Sequence, residues 1–487
     1  MVDSLKSKTI RALLWSFIES VGVRGAQFIV GIVLARLLLP EQFGLIGMLT
    51  IFMAVAQSFL DSGFGAALIQ KRNATQTDKC SIFYFNIVVG LAAAGLLCMV
   101  APWIAAFYNQ PVLTPLTRAL SLTIVINSFG LIQNTILTRQ INFKTLTKVS
   151  LFASVLSGII GISMAASGFG VWSLVIQQTS STFFRTVLLW FFNTWRPALA
   201  FSINSLREMF GFGSRVLASG LLNTIFDNIY LLVIGKLFLA TELGFFTRAK
   251  QFGEFPSLQL TWMVGRVTFP VFSTIQDDLT RLKRGLKKAL TTLALVNFPM
   301  MLGIVVIARP LVLALLTEKW TPCIPYLRLL CIVGLLFPLN WFNMNVLFAM
   351  GRSDLCLRLE IIKKVLIVIN IAVTWRWGIR AMICGQIAVS TFSYYLNSYY
   401  NGILIGYPIR QQLLDLSSYL ITPILMGLVV YALGLLPFSN IWFLLLTQVF
   451  TGFVVYVGLC WLFRLPAFLE IWQMGWRRIP FLKTDAA

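Results

Sequence analysis

The sequence contains no histidine. This removes imidazole general bases, the Ser-His-Asp triad, the H-E-x-x-H zinc site and histidine proton relays together. Charge is scarce as well: 11% of the 487 residues are charged, whereas soluble domains carry about 25%. With 58% hydrophobic residues and a mean hydropathy of +0.83, the chain has too little polar surface to cover itself in water. Acids are the rarer sign, 17 Asp and Glu against 39 Lys and Arg. The seven cysteines have no paired spacing and fall mostly within apolar runs. They read as small packing residues, not as a disulfide framework or a metal site. No G-x-x-x-x-G-K-S/T segment occurs, so no ATP hydrolysis by a P-loop is expected.

What is present in excess is apolar length. A helix needs roughly 20 apolar residues to cross the hydrocarbon core. Breaks of polar residues, Gly and Pro divide the chain into fourteen such stretches, roughly 12–39, 43–68, 81–107, 113–137, 147–167, 169–193, 209–238, 242–274, 288–316, 324–350, 355–377, 380–403, 413–435 and 440–464. The runs are unbroken, which excludes the alternating pattern of a transmembrane β-barrel. The first run is too long for a signal-peptide core and lacks a small-residue cleavage site, so the N-terminus is expected to be retained. The longest connections, near 194–210 and 275–288, leave no room for a soluble catalytic or nucleotide-binding domain.

Basic residues alternate from loop to loop. One set of connections carries Lys6, Lys71, Arg72, Arg139, Lys144, Arg196, Arg207, Arg215, Arg284, Lys288, Arg358, Lys363, Lys364, Arg410 and Arg478; the other carries Arg36, Lys236, Arg309, Lys319, Arg376 and Arg380. By the positive-inside rule both termini face the cytoplasm. The net charge of +22 is then mostly topology, and no nucleic-acid partner is expected.

An internal repeat is visible at an offset of 200. Residues 33–44 read VLARLLLPEQFG and 233–244 read VIGKLFLATELG, with Val33, Leu37, Leu39 and Gly44 recurring and Arg36 matched by Lys236. Each segment ends an odd-numbered span and begins the next. The units start six spans apart and share an orientation. That implies parallel repeats about an axis along the membrane normal, with a substrate site between the halves. The expected divisions are 1–200, 201–405 and a C-terminal appendage at 406–487.

Ionisable residues deep in a span cost several kcal/mol unless paired or wetted, about 3 kcal/mol on insertion scales. Glu19, Arg24, Asp61, Arg118, Asp227, Arg248, Lys250, Glu254, Arg266 and Arg328 fall within the spans. Span 1 places Ser16, Ser20, Arg24, Gln27, Gly31 and Ala35 on one helical face. Span 7 does the same with Ser219, Asn223, Asp227 and Tyr230, and Asp227 is the repeat partner of Gln27. Span 8 aligns Arg248, Gln251, Gln259, Trp262 and Arg266, with Pro256 a site for a kink. In span 2, Gln57 and Asp61 are one turn apart. Together these stripes suit a water-filled cavity.

Plainer readings stand beside this one. Polar stripes also serve as helix–helix glue. Arg118 and Arg328 sit close enough to helix ends to snorkel. Asp61 has Lys71 and Arg72 nearby in sequence, and Lys250 and Glu254 are spaced to neutralise each other. Arg24 has no carboxylate three or four residues away. A guanidinium at mid-depth suits a phosphate or pyrophosphate. Trp15, Trp103, Trp195, Trp320, Trp375, Trp377 and Trp476 fall near span ends, as an interfacial belt would have them.

Several segments carry a family resemblance: LARLLLPEQFGLIGM from Leu34, DSGFGAALIQ from Asp61, LTRQINFK from Leu137, GFGVWSLVIQ from Gly168, Trp195-Arg196-Pro197, DNIYLLVIGKLFLATELGFFTRAKQ from Asp227, FPVFSTIQDD from Phe269 and KWTPCIPYLRLL from Lys319. In this order they span nearly the whole chain. It resembles the polysaccharide transporter family of the multidrug/oligosaccharidyl-lipid/polysaccharide exporter superfamily, most of all the lipopolysaccharide and exopolysaccharide flippases, colanic acid and teichuronic acid exporters among them. The resemblance implies an all-α polytopic membrane protein of fourteen helices, two six-helix lobes plus two. It implies a flippase, not an enzyme, that moves an undecaprenyl-pyrophosphate-linked oligosaccharide across the inner membrane beside a separate polymerase and chain-length regulator, with no cofactor. Relatives line the cavity with cations for the pyrophosphate. By helix and depth, Arg24, with Gln27 on its face, and Arg248, Lys250 and Arg266 are the corresponding residues. With no ATPase, the drive is an ion gradient or the membrane potential, and Asp61, Asp227 and Glu19 are the candidate coupling sites. The second half departs from the pattern in lacking a counterpart of Pro40. The alternatives are a cation-coupled multidrug exporter, which predicts an acidic cavity, and a membrane-embedded glycan polymerase or ligase, which predicts a large outer loop.

Overall fold

The computed structural model describes residues 22–476 except 62 and 72. Glu19, Ser16, Ser20 and Trp15 lie outside the described residues. Among those described there is no strand. The chain forms two compact units, residues 1–247 and 248–487.

Unit 1 begins with a helix over 22–37, α1. It continues with α2 (Pro40–Asp61), α3 (Phe64–Gln70), α4 (Gln76–Tyr108), α5 (Leu113–Arg139), α6 (Phe143–Ala166), α7 (Val171–Phe192) and α8 (Ile203–Leu237), and ends in the first turns of α9 (Ala240–Thr274). Unit 2 holds the rest of α9, then α10 (Leu279–Leu315), a 3-10 turn (Glu318–Cys323), α11 (Ile324–Ala349), α12 (Ser353–Thr374), α13 (Ile379–Ile405), α14 (Ile409–Leu433), α15 (Ile441–Leu462) and α16 (Pro466–Trp476). In unit 1, α4 packs on α5, α6 on α7, α5 on α7 and α2 on α8. In unit 2, α10 packs on α11, α14 and α15, and α13 on α11 and α12.

Nine helical stretches among the described residues are long and apolar enough to cross a membrane, and the chain is a multi-pass membrane protein. Every expected stretch from 81–107 onward overlaps a helix, whereas 43–68 is divided between two. Two short helices, α3 and α16, come in addition. The first arises because the stretch 43–68 does not run through. It breaks before Gly63, which has φ 72°, and a Cβ there would stand 2.7 Å from the Gly213 carbonyl oxygen. Only glycine takes both that backbone and that approach without strain.

Helix starts follow side-chain chemistry. Thr75 and Asp78 form a reciprocal capping box at α4, and Asn142, Ser202, Asp278 and Asn440 accept backbone N–H groups at the starts of α6, α8, α10 and α15. All of these but α15 begin before the apolar run does. Several basic residues assigned to loops are therefore helical: Lys144 in α6, Arg207 and Arg215 in α8, Arg284 and Lys288 in α10. Arg358, Lys363 and Lys364 go further, into α12, where Lys363 is paired with Glu360 at 3.2 Å. Trp320 is fully buried instead of belonging to an interfacial belt, whereas Trp103 and Trp377 are exposed.

The core of unit 2 contains a polar knot. Gln412 of α14 accepts from Tyr394, Ser398 and Asn343 and donates to the side chain of Asn343 and the Tyr407 carbonyl. Asn401 of α13 donates to Asn343 of α11. Asn343, Asn401, Ser398 and Gln412 are fully buried, so three helices are cross-linked where no water competes.

The sequence repeat closes on itself within unit 1. A Cβ at Gly44 would stand 1.7 Å from the Ala240 carbonyl oxygen, and one at Gly244 would stand 1.9 Å from that of Pro40. Position 44 maps on 244 and 40 on 240, so the contact is reciprocal: α2 and α9 begin with their backbones touching. The preceding turns match too, with Leu38 N bonded to Leu34 O at 2.8 Å and Phe238 N to Ile234 O at 2.9 Å. Such bare backbone approach is how helices pack tightly without a hydrophobic driving force. Replacing Gly44 or Gly244 by Val is expected to destabilise the protein by about 3 kcal/mol or more, since backbone must move. Gly95→Val, in α4 with nothing within 4 Å of the new Cβ, is expected to be neutral; thermal unfolding of the detergent-solubilised variants measures the contrast.

Candidate functional site

Polar side chains that stay accessible within apolar helices cannot face lipid, because hydrocarbon leaves them unsatisfied. In α1, Arg24 and Gln27 are both exposed, and Arg24 makes no ion pair among the described residues. Arg24 lies about 20 Å along α1 from its end near residue 37, at a rise of 1.5 Å per residue. In α8, Asp227 is exposed and lies about 15 Å from the helix end at Leu237. Ser58 of α2 and Thr224 of α8 share a hydrogen bond of 3.0 Å, which joins these two helices one turn from Asp227.

More polar side chains lie toward the ends of α2, α5 and α7 that lead into the basic connections. Gln57 Nε2 donates to Asp61 Oδ1 at 3.1 Å, and Asn127 of α5 donates to Gln57 Oε1 at 3.1 Å. Arg185 of α7 donates from a terminal guanidinium nitrogen to Asn134 Oδ1 of α5 at 3.0 Å. Asp61 of α2 and Arg185 of α7 bring opposite charges to these helix ends. Lys71, one of the two cations expected beside Asp61, is not its partner. Lys71 bonds instead to Asp78 at 3.1 Å and Glu208 at 3.0 Å, and Arg72 lies outside the described residues. The hydrogen bonds it donates, first to Glu208 and then to Asp78, raise the Lys71 ammonium above its ordinary value. This clasp is complete below the ordinary lysine range and loosens only as pH rises through the raised value.

The clasp belongs to a strap at the same ends. Gln76 donates to the Arg196 carbonyl and accepts from Trp195 Nε1, and Tyr84 donates to the Ala198 carbonyl. Arg196 donates to the carbonyls of Trp190, Asn193 and Trp195 and so caps the end of α7. Trp195-Arg196-Pro197 thus has a structural task.

In unit 2 the candidates of α9 do not form one cluster. Arg248 is buried and donates to Gln251 Oε1 at 2.5 Å. Lys250 is paired with Glu254 at 3.9 Å, as their spacing allows. Arg266 is exposed. Arg248 and Arg266 are 18 residues apart in one continuous helix, about 27 Å along its axis. Arg118 and Arg328 are exposed near helix ends.

Sequence reasoning passes over Arg185, Asn127 and Asn134, and places Lys363 in a connection. The signal for Arg185 was available: it follows Gln177, Gln178, Thr179, Ser180, Ser181 and Thr182, a polar run inside an apolar stretch. Lys363 was hidden by its nearness to the loop at Gly351.

The comparisons with known proteins agree with this architecture. A family described as polysaccharide biosynthesis protein matches residues 33–325. The teichuronic acid biosynthesis protein TuaB of Bacillus subtilis is 34% identical over 62% of this chain and 62% of its own length. The lipopolysaccharide biosynthesis protein WzxC of Escherichia coli K12 is 29% identical over 89% of each chain. Among solved structures, the lipid II flippase MurJ in an inward closed conformation superposes with a TM-score of 0.74 at 15% identity, covering 93% of this chain and 98% of that one. At that identity the likeness concerns the fold.

The opposition of Asp61 and Arg185 is open to a double-mutant cycle. Asp61→Asn and Arg185→Gln are each expected to lower thermal stability by leaving one charge unmatched. The double variant is expected to lose less than the sum, with a coupling of about 1 kcal/mol; strictly additive losses would remove the pair.

Proposed function

The chain belongs to the polysaccharide biosynthesis protein family, and on that premise we propose that it is a flippase for a lipid-linked oligosaccharide. It carries an undecaprenyl-pyrophosphate-linked repeat unit from the cytoplasmic to the periplasmic face of the inner membrane by alternating access. Both termini are cytoplasmic, the polymerase and chain-length regulator are separate proteins, and the chain itself makes or breaks no covalent bond. In this reading 1–200 and 201–405 are the two repeat lobes and 406–487 an appendage.

The observation that carries the reading is an exposed guanidinium, Arg24, part-way along an apolar helix. It is a partner for a diphosphate that has to leave water without entering hydrocarbon. Arg248, Lys250 and Arg266 extend this over the length of α9. A diphosphate is far smaller than the roughly 27 Å between Arg248 and Arg266, so the α9 cations act in succession along the path. Gln27 adds a neutral donor beside Arg24. Asp61, Asp227 and Glu19 are the acids through which an ion gradient drives the cycle. Relatives named for teichuronic acid and lipopolysaccharide biosynthesis support the substrate class.

The test uses a strain lacking the gene, with and without the gene restored. A glycan-modifying probe confined to the periplasm reports which face of the membrane the lipid-linked unit occupies. The unit is expected to be exposed only when the gene is restored, and Arg24→Ala is expected to insert normally yet restore no exposure. Equal exposure in both strains overturns the reading. Drug susceptibility of the same deletion strain then decides for the multidrug exporter.

A further inference from the structure

The polar level of unit 1 contains Gln57 and Asp61 of α2, Asn127 and Asn134 of α5 and Arg185 of α7. It has a composition that the diphosphate does not explain. Its two charges are opposite, a carboxylate and a guanidinium. An anion there is opposed by Asp61, and an organic cation is opposed by Arg185. What remains is a net-neutral group of three amides, a carboxylate and a guanidinium, joined in part by hydrogen bonds of 3.0 to 3.1 Å.

None of the five is sealed in a core: Asp61 is exposed and the other four are half-buried. They lie within the helical stretches, Arg185 about 10 Å from the end of α7 at Phe192 and Asn127 about 18 Å from the end of α5 at Arg139. Accessible amides at that depth face water or a ligand, not lipid. A carboxylate offers about four acceptor sites, a guanidinium five N–H donors, and each amide both kinds. Adjacent ring hydroxyls, each donor and acceptor at once, match that mixture.

We propose that Gln57, Asp61, Asn127, Asn134 and Arg185 form a subsite for the hydroxyl groups of a neutral sugar, separate from the cations that take the diphosphate. This rests on the lipid-linked oligosaccharide reading above. Arg185 is the discriminating residue, because its planar fork holds two oxygens at once whereas an ammonium holds neither in fixed geometry. Asn134 positions that fork.

The test measures binding to the purified full-length protein by thermal shift. The probes are undecaprenyl diphosphate without sugar and the same lipid carrying one neutral hexose. The parent protein is expected to bind the glycosylated lipid about tenfold more tightly, the effect of one or two well-made hydrogen bonds. In Arg185→Gln and Asn134→Ala that ratio is expected to fall toward one. Arg185→Lys keeps the charge opposite Asp61, guards against misfolding, and is expected to lose the ratio too. Arg24→Ala is expected to weaken both lipids and keep the ratio. Equal binding of the two lipids by the parent overturns the subsite and leaves the flippase reading standing. A ratio preserved in Arg185→Lys and Arg185→Gln overturns the role of Arg185. Binding of neither lipid by the parent overturns subsite and flippase reading together.

Discussion

A polar group left without a partner in hydrocarbon costs several kcal/mol, about 4 to 8 kcal/mol for an amide moved to an inert solvent. In a chain this apolar, that cost sets where each polar side chain is found. Asn343, Asn401 and Gln412 meet the constraint by bonding to one another in the closed core of unit 2. Lys363 meets it by pairing with Glu360. Arg24, Gln27, Asp61 and Asp227 meet it by remaining accessible. The same physical requirement thus yields fasteners in one place and a wet surface in another. The level of exposure separates the two.

Much of this was legible in the residues. The apolar stretches located the helices because span length is dictated by the thickness of a bilayer. The repeat at 33–44 and 233–244 was visible as letters, and its two copies meet. Legibility fails where helices outrun the membrane. Lys144, Arg207 and Arg284 read as loop residues because charge ordinarily marks the end of an apolar run, whereas caps such as Asn142 and Ser202 start the helix earlier. It fails again at Gly63, where a backbone contact with Gly213 divides one apolar run in two. Among functional candidates, Asp61 stood out while its counterpart Arg185 did not, since the partner lies on a helix more than a hundred residues further on. Spacing within one helix reports neighbours three or four residues apart and nothing across the bundle.

Depth along the helix matters as much as identity. A wheel projection of α9 puts Arg248 and Arg266 on one face and invites the idea of a single anion site. The rise of the helix separates them by most of a bilayer, about 27 Å. Burial divides them further, since Arg248 is enclosed with Gln251 and Arg266 is open. One helix therefore presents its cations at successive levels.

The joint at Gly44 and Gly244 has a consequence for which changes the two matching segments tolerate. Pro40 and Ala240 differ, because each offers only its carbonyl to the contact. At 44 and 244 each copy is pressed against the main chain of the other, and main chain does not change when a codon does. A substitution at either position has no compensating substitution at its partner. These two sites are therefore denied independent change, and the contact alone is enough to keep the two letters alike.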